Sequence, residues 1–214
     1  MGTILQGALG GFSGKAGAII GSSWKSINYI KGLSKKRTKP ATEEQLMQQA
    51  RFYTIAKFIM PIASFVNLGF GQVNANRMTA TNVALQANIN TAVVGTYPNF
   101  TLDYSKILIS KGGLQPGGMM WATGIAGILK VNWSPSAIKI QKGELDDQVH
   151  ILLYVPTIDE FLTAPEPPVR GDGSVDIEFP EHFNGEVGHV WVFFADRKGK
   201  RVSKTTYLGE VELS

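Results

Sequence analysis

Between Pro40 and Phe70 the apolar positions Phe52, Ile55, Ile59, Ile62 and Val66 recur at spacings of three and four, which predicts a helix with one buried face. Its start is marked by Thr42 as N-cap, with Gln45 three residues on completing a capping box. Glu43 and Glu44 lie where they complement the helix dipole. Pro61 removes a backbone donor and crowds the preceding turn, so the helix is expected to kink or end there. A second, weaker helical pattern runs from Met78 to Val94, with Val83, Leu85, Ala87, Ile89 and Val93 among asparagines and threonines. Gly95 reads as its stop, and Tyr97 to Phe100 as the beginning of an extended stretch around Pro98.

From about residue 103 the period changes to two. Strands are expected at Ile107–Ser110, Gly127–Trp133, Val149–Val155, Ser174–Phe179, Val187–Ala195 and Ser203–Leu213, separated by glycine, proline and charged turns. Val190, Val192 and Phe194 would line one face of their strand and Trp191 and Phe193 the other. That strand must then be central or covered by another element. Asp196 to Lys200 reads as the solvated turn of the last hairpin. The fold class is therefore α+β. It comprises a basic glycine-rich extended arm (residues 1–40), a helical segment (41–102) and an antiparallel β-sandwich of immunoglobulin-like kind (103–214).

The arm holds two short β-like runs, Ala18–Trp24 and Ile27–Lys31, consistent with a hairpin. Charge sets it apart from the rest. Before Glu43 there is no acidic residue, while Lys15, Lys25, Lys31, Lys35, Lys36, Arg37 and Lys39 supply seven positive charges. The net charge of the whole chain is +4, so the remainder carries 14 basic against 17 acidic residues. A basic arm on a mildly acidic body suits nucleic acid, and equally suits docking onto an acidic neighbouring subunit. The candidate contact residues are Trp24, Lys25, Tyr29, Lys31, Lys35, Lys36, Arg37 and Lys39, which interleave aromatic rings with charge. Under a third reading, Lys35 to Lys39 are only a solvated linker.

The 214 residues are 43% hydrophobic, enough for a real core, and contain no cysteine, which removes disulfides, zinc ribbons, iron–sulfur clusters and thiol nucleophiles. Gly14-Lys15 fails as a phosphate-binding loop, because Leu9 stands where the first glycine is needed and Ala16 where a hydroxyl would reach magnesium. Gly10 to Gly14 lacks the spacing of a nucleophile elbow. His150, His182 and His189 are not at ligand spacing, and Asp146-Asp147 reads as a charged turn. Neither catalysis nor a metal or other cofactor is expected, nor a small-molecule substrate. Glycines interrupt the first twenty residues, and the apolar window Phe58–Phe70 is too short to span a bilayer. Synthesis in the cytoplasm without a secretory signal is therefore the expectation, with an assembled particle or virion as the final location.

Three stretches occur together in order: Gly14 to Lys25 with Tyr29-Ile30-Lys31, then Pro40-Ala41-Thr42 leading to Gln45 and Ala50-Arg51-Phe52, then Gly95 to Thr101. In this the chain resembles an uncharacterised Bacteroidota family, the domain of unknown function 6266. The resemblance implies no activity and transfers no catalytic residue. Where that family often has arginine this chain has Lys31, which keeps the charge and loses the bidentate fork. Leu129 to Pro135 and Val190 to Thr206 resemble the second strand and final hairpin of a fibronectin type III or immunoglobulin-like module. Together these features suggest a non-enzymatic structural subunit of a larger homo-oligomeric assembly, virion-like, phage-tail-like or filamentous. Its arm would dock onto neighbours; the alternative is a protein that binds nucleic acid through the arm. An adhesion or carbohydrate-binding module is a third reading, and would need export by another route.

Overall fold

The computed structural model describes residues 2–3, 13–24, 27–36, 38–73, 78–136 and 143–214. The chain forms two compact units, Met1–Gln45 and Leu46–Ser214, with the division in the first turn of a helix.

In the first unit, β1 (Gly2–Thr3), β2 (Gly14–Ala16), β3 (Ile19–Trp24) and β4 (Ile27–Gly32) form an antiparallel sheet in the order β1-β4-β3-β2. The two expected runs are β3 and β4. The β2–β3 connection is a two-residue turn, Gly17-Ala18, with Gly17 at φ 59°, a conformation open to glycine at little steric cost. Leu33 N–H donates to the Ala18 carbonyl and prolongs the β3–β4 pairing by one bond.

The helix after Pro40 is α1 (Glu43–Ile59). Its capping box forms as expected: Gln45 N–H donates to Thr42 Oγ1 and Thr42 N–H to Gln45 Oε1, both at 3.4 Å. Pro61 lies in the break before α2 (Ala63–Gly69), and the two helices meet at 91°. Among the described residues no single helix is long and apolar enough to cross a membrane. Ile55, Ile59, Ile62 and Val66 are buried as the seam requires. Phe52 is not: it lies nearly half exposed, and Phe58 takes the buried aromatic position instead. Gly69 sits so close to the Ile109 carbonyl and Ser110 that a methyl group in its place would run into their backbone.

The second helix, α3 (Ala80–Ile89), is shorter than expected and is capped by Thr79, whose Oγ1 accepts from Asn82 N–H at 3.2 Å. Val93 and Val94 belong instead to β5 (Val93–Thr96), paired with β6 (Asn99–Leu102) through the Tyr97-Pro98 turn. Gly95 is thus a strand residue at φ 99° rather than a helix stop.

The C-terminal part is the expected antiparallel sandwich. One sheet has the order β11-β8-β7, from β7 (Met120–Ile125), β8 (Ile128–Trp133) and β11 (Ser174–Glu178). The other has the order β10-β9-β12-β13, from β9 (Gln148–Val155), β10 (Glu160–Thr163), β12 (Val187–Ala195) and β13 (Thr206–Glu212). Three strands on four is the sandwich architecture shared by immunoglobulin-like and fibronectin type III modules.

Strand β12 is central, and its two apolar faces have different neighbours. Val190, Val192 and Phe194 pack with Val149, Ile151, Leu153 and Leu129 between the sheets. Trp191 and Phe193, with Leu152 and Tyr154, meet Ile55, Phe58, Ile59 and Phe70 of the helical layer. Phe58 makes edge-on contacts with Tyr154, Phe161 and Trp191 at ring separations of 5.1, 5.3 and 5.6 Å. Residues 102 and 103 therefore mark no boundary, because the helical segment has no separate core and covers the outer face of the sheet.

Ile107–Ser110 is not a strand. Its backbone is held by side chains: Asn88 Oδ1 accepts from Leu108 N–H at 2.7 Å and Asn88 Nδ2 donates to the Leu108 carbonyl at 2.8 Å. Thr205 Oγ1 accepts from the amides of Ile109 and Ser110 at 2.9 and 2.7 Å. Asn88 is fully buried, so Asn88→Ala orphans two backbone groups at about 1–3 kcal/mol each. A fall of this size in urea-unfolding stability, with the helix signal intact, is the expected result.

Candidate functional site

Side chains alternate along a strand, and residues paired across an antiparallel ladder share a face. Trp24 pairs with Ile27, Ser22 with Tyr29, Ile20 with Lys31, and Lys15 with Ile20. One face of the arm sheet therefore carries Lys15, Ile20, Trp24, Ile27, Tyr29 and Lys31. The other carries mostly small residues: Gly14, Ala16, Gly21, Ser23 and Gly32, with Ile19, Asn28 and Ile30 among them. Trp24 and Ile27 are 48% and 49% exposed. Between Trp24, Ile27, Tyr29 and Lys31 lies a shallow, largely apolar depression of about 440 Å³. From Ser13 to Lys36, Gly21 is the one buried position among the described residues, so no apolar side chain there is buried.

Of the eight residues expected to make contacts, the sheet brings together Trp24, Tyr29 and Lys31. Lys35, Lys36 and Lys39 are exposed in the irregular segment after β4. Lys25 and Arg37 lie outside the described residues. Lys15 and Ile20 complete the face and were not anticipated from spacing, because the register places them there and the β2 strand is only three residues long. The Gly17 turn was the available signal.

The body holds the ionisable groups that chemistry would require, and they are dispersed. Among the described residues no three His, Asp or Glu side chains are placed to hold a metal ion. His182 is exposed and pairs with Glu160 at 3.0 Å. His189 Nδ1 is 2.7 Å from the Tyr207 hydroxyl, and its ring lies 4.1 Å from that of Tyr104. Burial keeps His189 below the usual histidine range. The charged turn expected at Asp146-Asp147 is present, closed by Asp147 N–H donating to the Glu144 carbonyl at 3.3 Å, but Asp147 faces inward. It is buried, and its Oδ2 accepts from Arg170 Nε and Nη2, each at 3.1 Å, and from Glu144 N–H at 3.0 Å. Arg170 is fully buried, so the tripeptide Arg170-Gly171-Asp172 is not displayed as a charged motif.

His150 stacks on Phe193 at 4.9 Å, meets Phe65 edge-on at 5.9 Å, and among the described residues has an Nε2 without a hydrogen-bond partner. Burial pushes its pKa down to about 4. The unfolded chain therefore takes up the proton first as pH falls. This contribution to stability is complete above about pH 6.5 and is lost toward pH 4, at a slope of at most about 1.4 kcal/mol per pH unit. Urea midpoints at pH 7 and pH 4.5 should show the loss in the natural chain, and His150→Phe should reduce it.

A comparison with curated proteins finds no match. The sequence model of a family of unknown function, DUF6266, matches residues 11–209, a span that takes in most of the arm as well as the helices and the sandwich. The chain belongs to that family, DUF6266.

Proposed function

We propose that this chain is a non-enzymatic structural subunit of a larger homo-oligomeric assembly, of virion-like, phage-tail-like or filamentous kind, whose N-terminal arm docks onto a neighbouring subunit. The observation that carries the reading is the arm sheet, which leaves Trp24 and Ile27 half exposed and buries no apolar side chain among its described residues from Ser13 to Lys36. A small sheet needs a covered apolar face to be stable, and one with open faces invites another surface. The arm's lack of acidic residues before Glu43 draws it toward a body where acidic residues outnumber basic ones.

Sedimentation of the purified chain with and without nuclease tests this. A multimer that persists after nuclease supports the reading, and a monomer under both conditions overturns it. One observation favours nucleic acid as the second reading: Trp24 and Tyr29 share their face with Lys15 and Lys31, and base stacking on such rings contributes about 1–3 kcal/mol per base. Its mark would be a complex that nuclease dissolves and whose affinity falls steeply with salt. Replacing Lys35, Lys36 and Arg37 by glutamine would flatten that slope.

A further inference from the structure

The short turn Tyr104–Lys106 and the residues after it run beside the start of β13, and a cleft of about 360 Å³ lies between them, wholly within the body unit. Its size falls in the usual range for small-ligand sites, roughly 300–1,000 Å³. Lys106 and Leu108 line it from one side and Lys204 and Tyr207 from the other, with Thr91, two residues beyond α3, as a further lining residue. The two sides are tied together. Thr205 Oγ1 accepts from the amides of Ile109 and Ser110, Ser110 Oγ donates to the Ser203 carbonyl at 2.9 Å, and Trp191 Nε1 donates to the Tyr104 carbonyl at 3.2 Å. The cleft is thus preformed, and a ligand need not spend binding energy on ordering it.

Charge sets this cleft apart. From Glu43 onward 17 acidic residues stand against 14 basic ones, yet two lysines line the cleft and no carboxylate does. The depression beside Asp196, by contrast, mixes Glu144 and Asp146 with Arg197 and Arg201. Asp103, which is not a lining residue, pairs with Lys106 at 2.8 Å; this steadies the side chain and leaves two of its three ammonium donors for a ligand. Lys204 is exposed and among the described residues has no carboxylate within ion-pair distance. We propose that the cleft binds the phosphoryl group of a small phosphate monoester between Lys106 and Lys204. A monoester carries about two negative charges at pH 7 and three strong acceptor oxygens, which two ammonium groups match. Lysine serves phosphate as a point charge and needs no planar fork. Leu108 and the Tyr207 ring, both half-buried, offer the apolar body of an ester a surface that free phosphate would not use. The site is one of binding alone and does not depend on the assembly reading.

Calorimetric titration of the full-length chain with phenyl phosphate should show saturable binding of one ligand per chain. Lys204→Gln and Lys106→Gln should each weaken it about tenfold, the effect of losing one hydrogen bond to a charged group. Both side chains are exposed, so the melting temperature should not change. Lys130→Gln, at an exposed lysine of the three-stranded sheet, should leave the affinity as it was. Inorganic phosphate should bind several-fold more weakly than phenyl phosphate. No saturable binding overturns the proposal, as does equal weakening by all three substitutions, the mark of an unspecific charge effect. Equal affinity for the two probes overturns the ester and assigns the cleft to free phosphate. None of these outcomes alters the assembly reading, which sedimentation tests separately.

Discussion

Arg170→Met is expected to destabilise the sandwich by about 3–5 kcal/mol, the usual cost of leaving one partner of a buried ion pair without the other. Arg170 and Asp147 are both essentially inaccessible, and the guanidinium also donates to the carbonyls of Gln115 at 2.7 Å and Pro116 at 3.3 Å while lying 4.2 Å over the Phe194 ring. Burial lowers the Arg170 pKa, and the neighbouring Asp147 carboxylate opposes that shift. Among the described residues Asp147 Oδ1 has no hydrogen-bond partner, so loss of the arginine would leave a buried charge held only by Glu144 N–H. The double variant Arg170→Met/Asp147→Leu should recover at least half of the loss, since replacing both charges removes the unpaired group. Urea unfolding of the two single variants and the double variant gives the coupling. A double variant no more stable than Arg170→Met would place the cost in the lost carbonyl bonds instead.

Ile59→Ala should cost about 2–5 kcal/mol, because its side chain is fully buried where the helical layer meets the outer face of the four-stranded sheet. Ile55→Ala lies in the same layer and should fall in the same range. Phe52→Ala provides the contrast. Its ring is nearly half exposed, so its removal should change the melting temperature little. Unchanged melting in both isoleucine variants would mean that the helix is not integral to the body.

Strand β12 and the start of α1 were legible in the sequence because local chemistry and tertiary packing agree there. The capping box forms between Thr42 and Gln45, and the run Val190–Phe194, apolar on both faces, could only be a covered central strand. Strand β7 was illegible because its pattern is inverted: Trp121 and Ile125 point outward, while Ala122 and Gly124 lie on the inner side, Gly124 against Glu212 and Leu213. Ile107–Ser110 reads as a strand by composition, yet its partners are the side chains of Asn88 and Thr205, which no periodicity reveals. In the arm, Trp24 and Tyr29 stood out as residues, but their common face with Lys15 emerges only from the register of three strands.

Light scattering of nuclease-treated full-length protein, natural chain against Trp24→Ser/Ile27→Ser, tests most directly whether the arm face joins subunits. The account predicts a multimer for the natural chain and a marked fall in mass for the variant, with the β signal of the sandwich retained. A natural chain that scatters as a 23.2 kDa monomer, or a variant that assembles to the same mass, would contradict it.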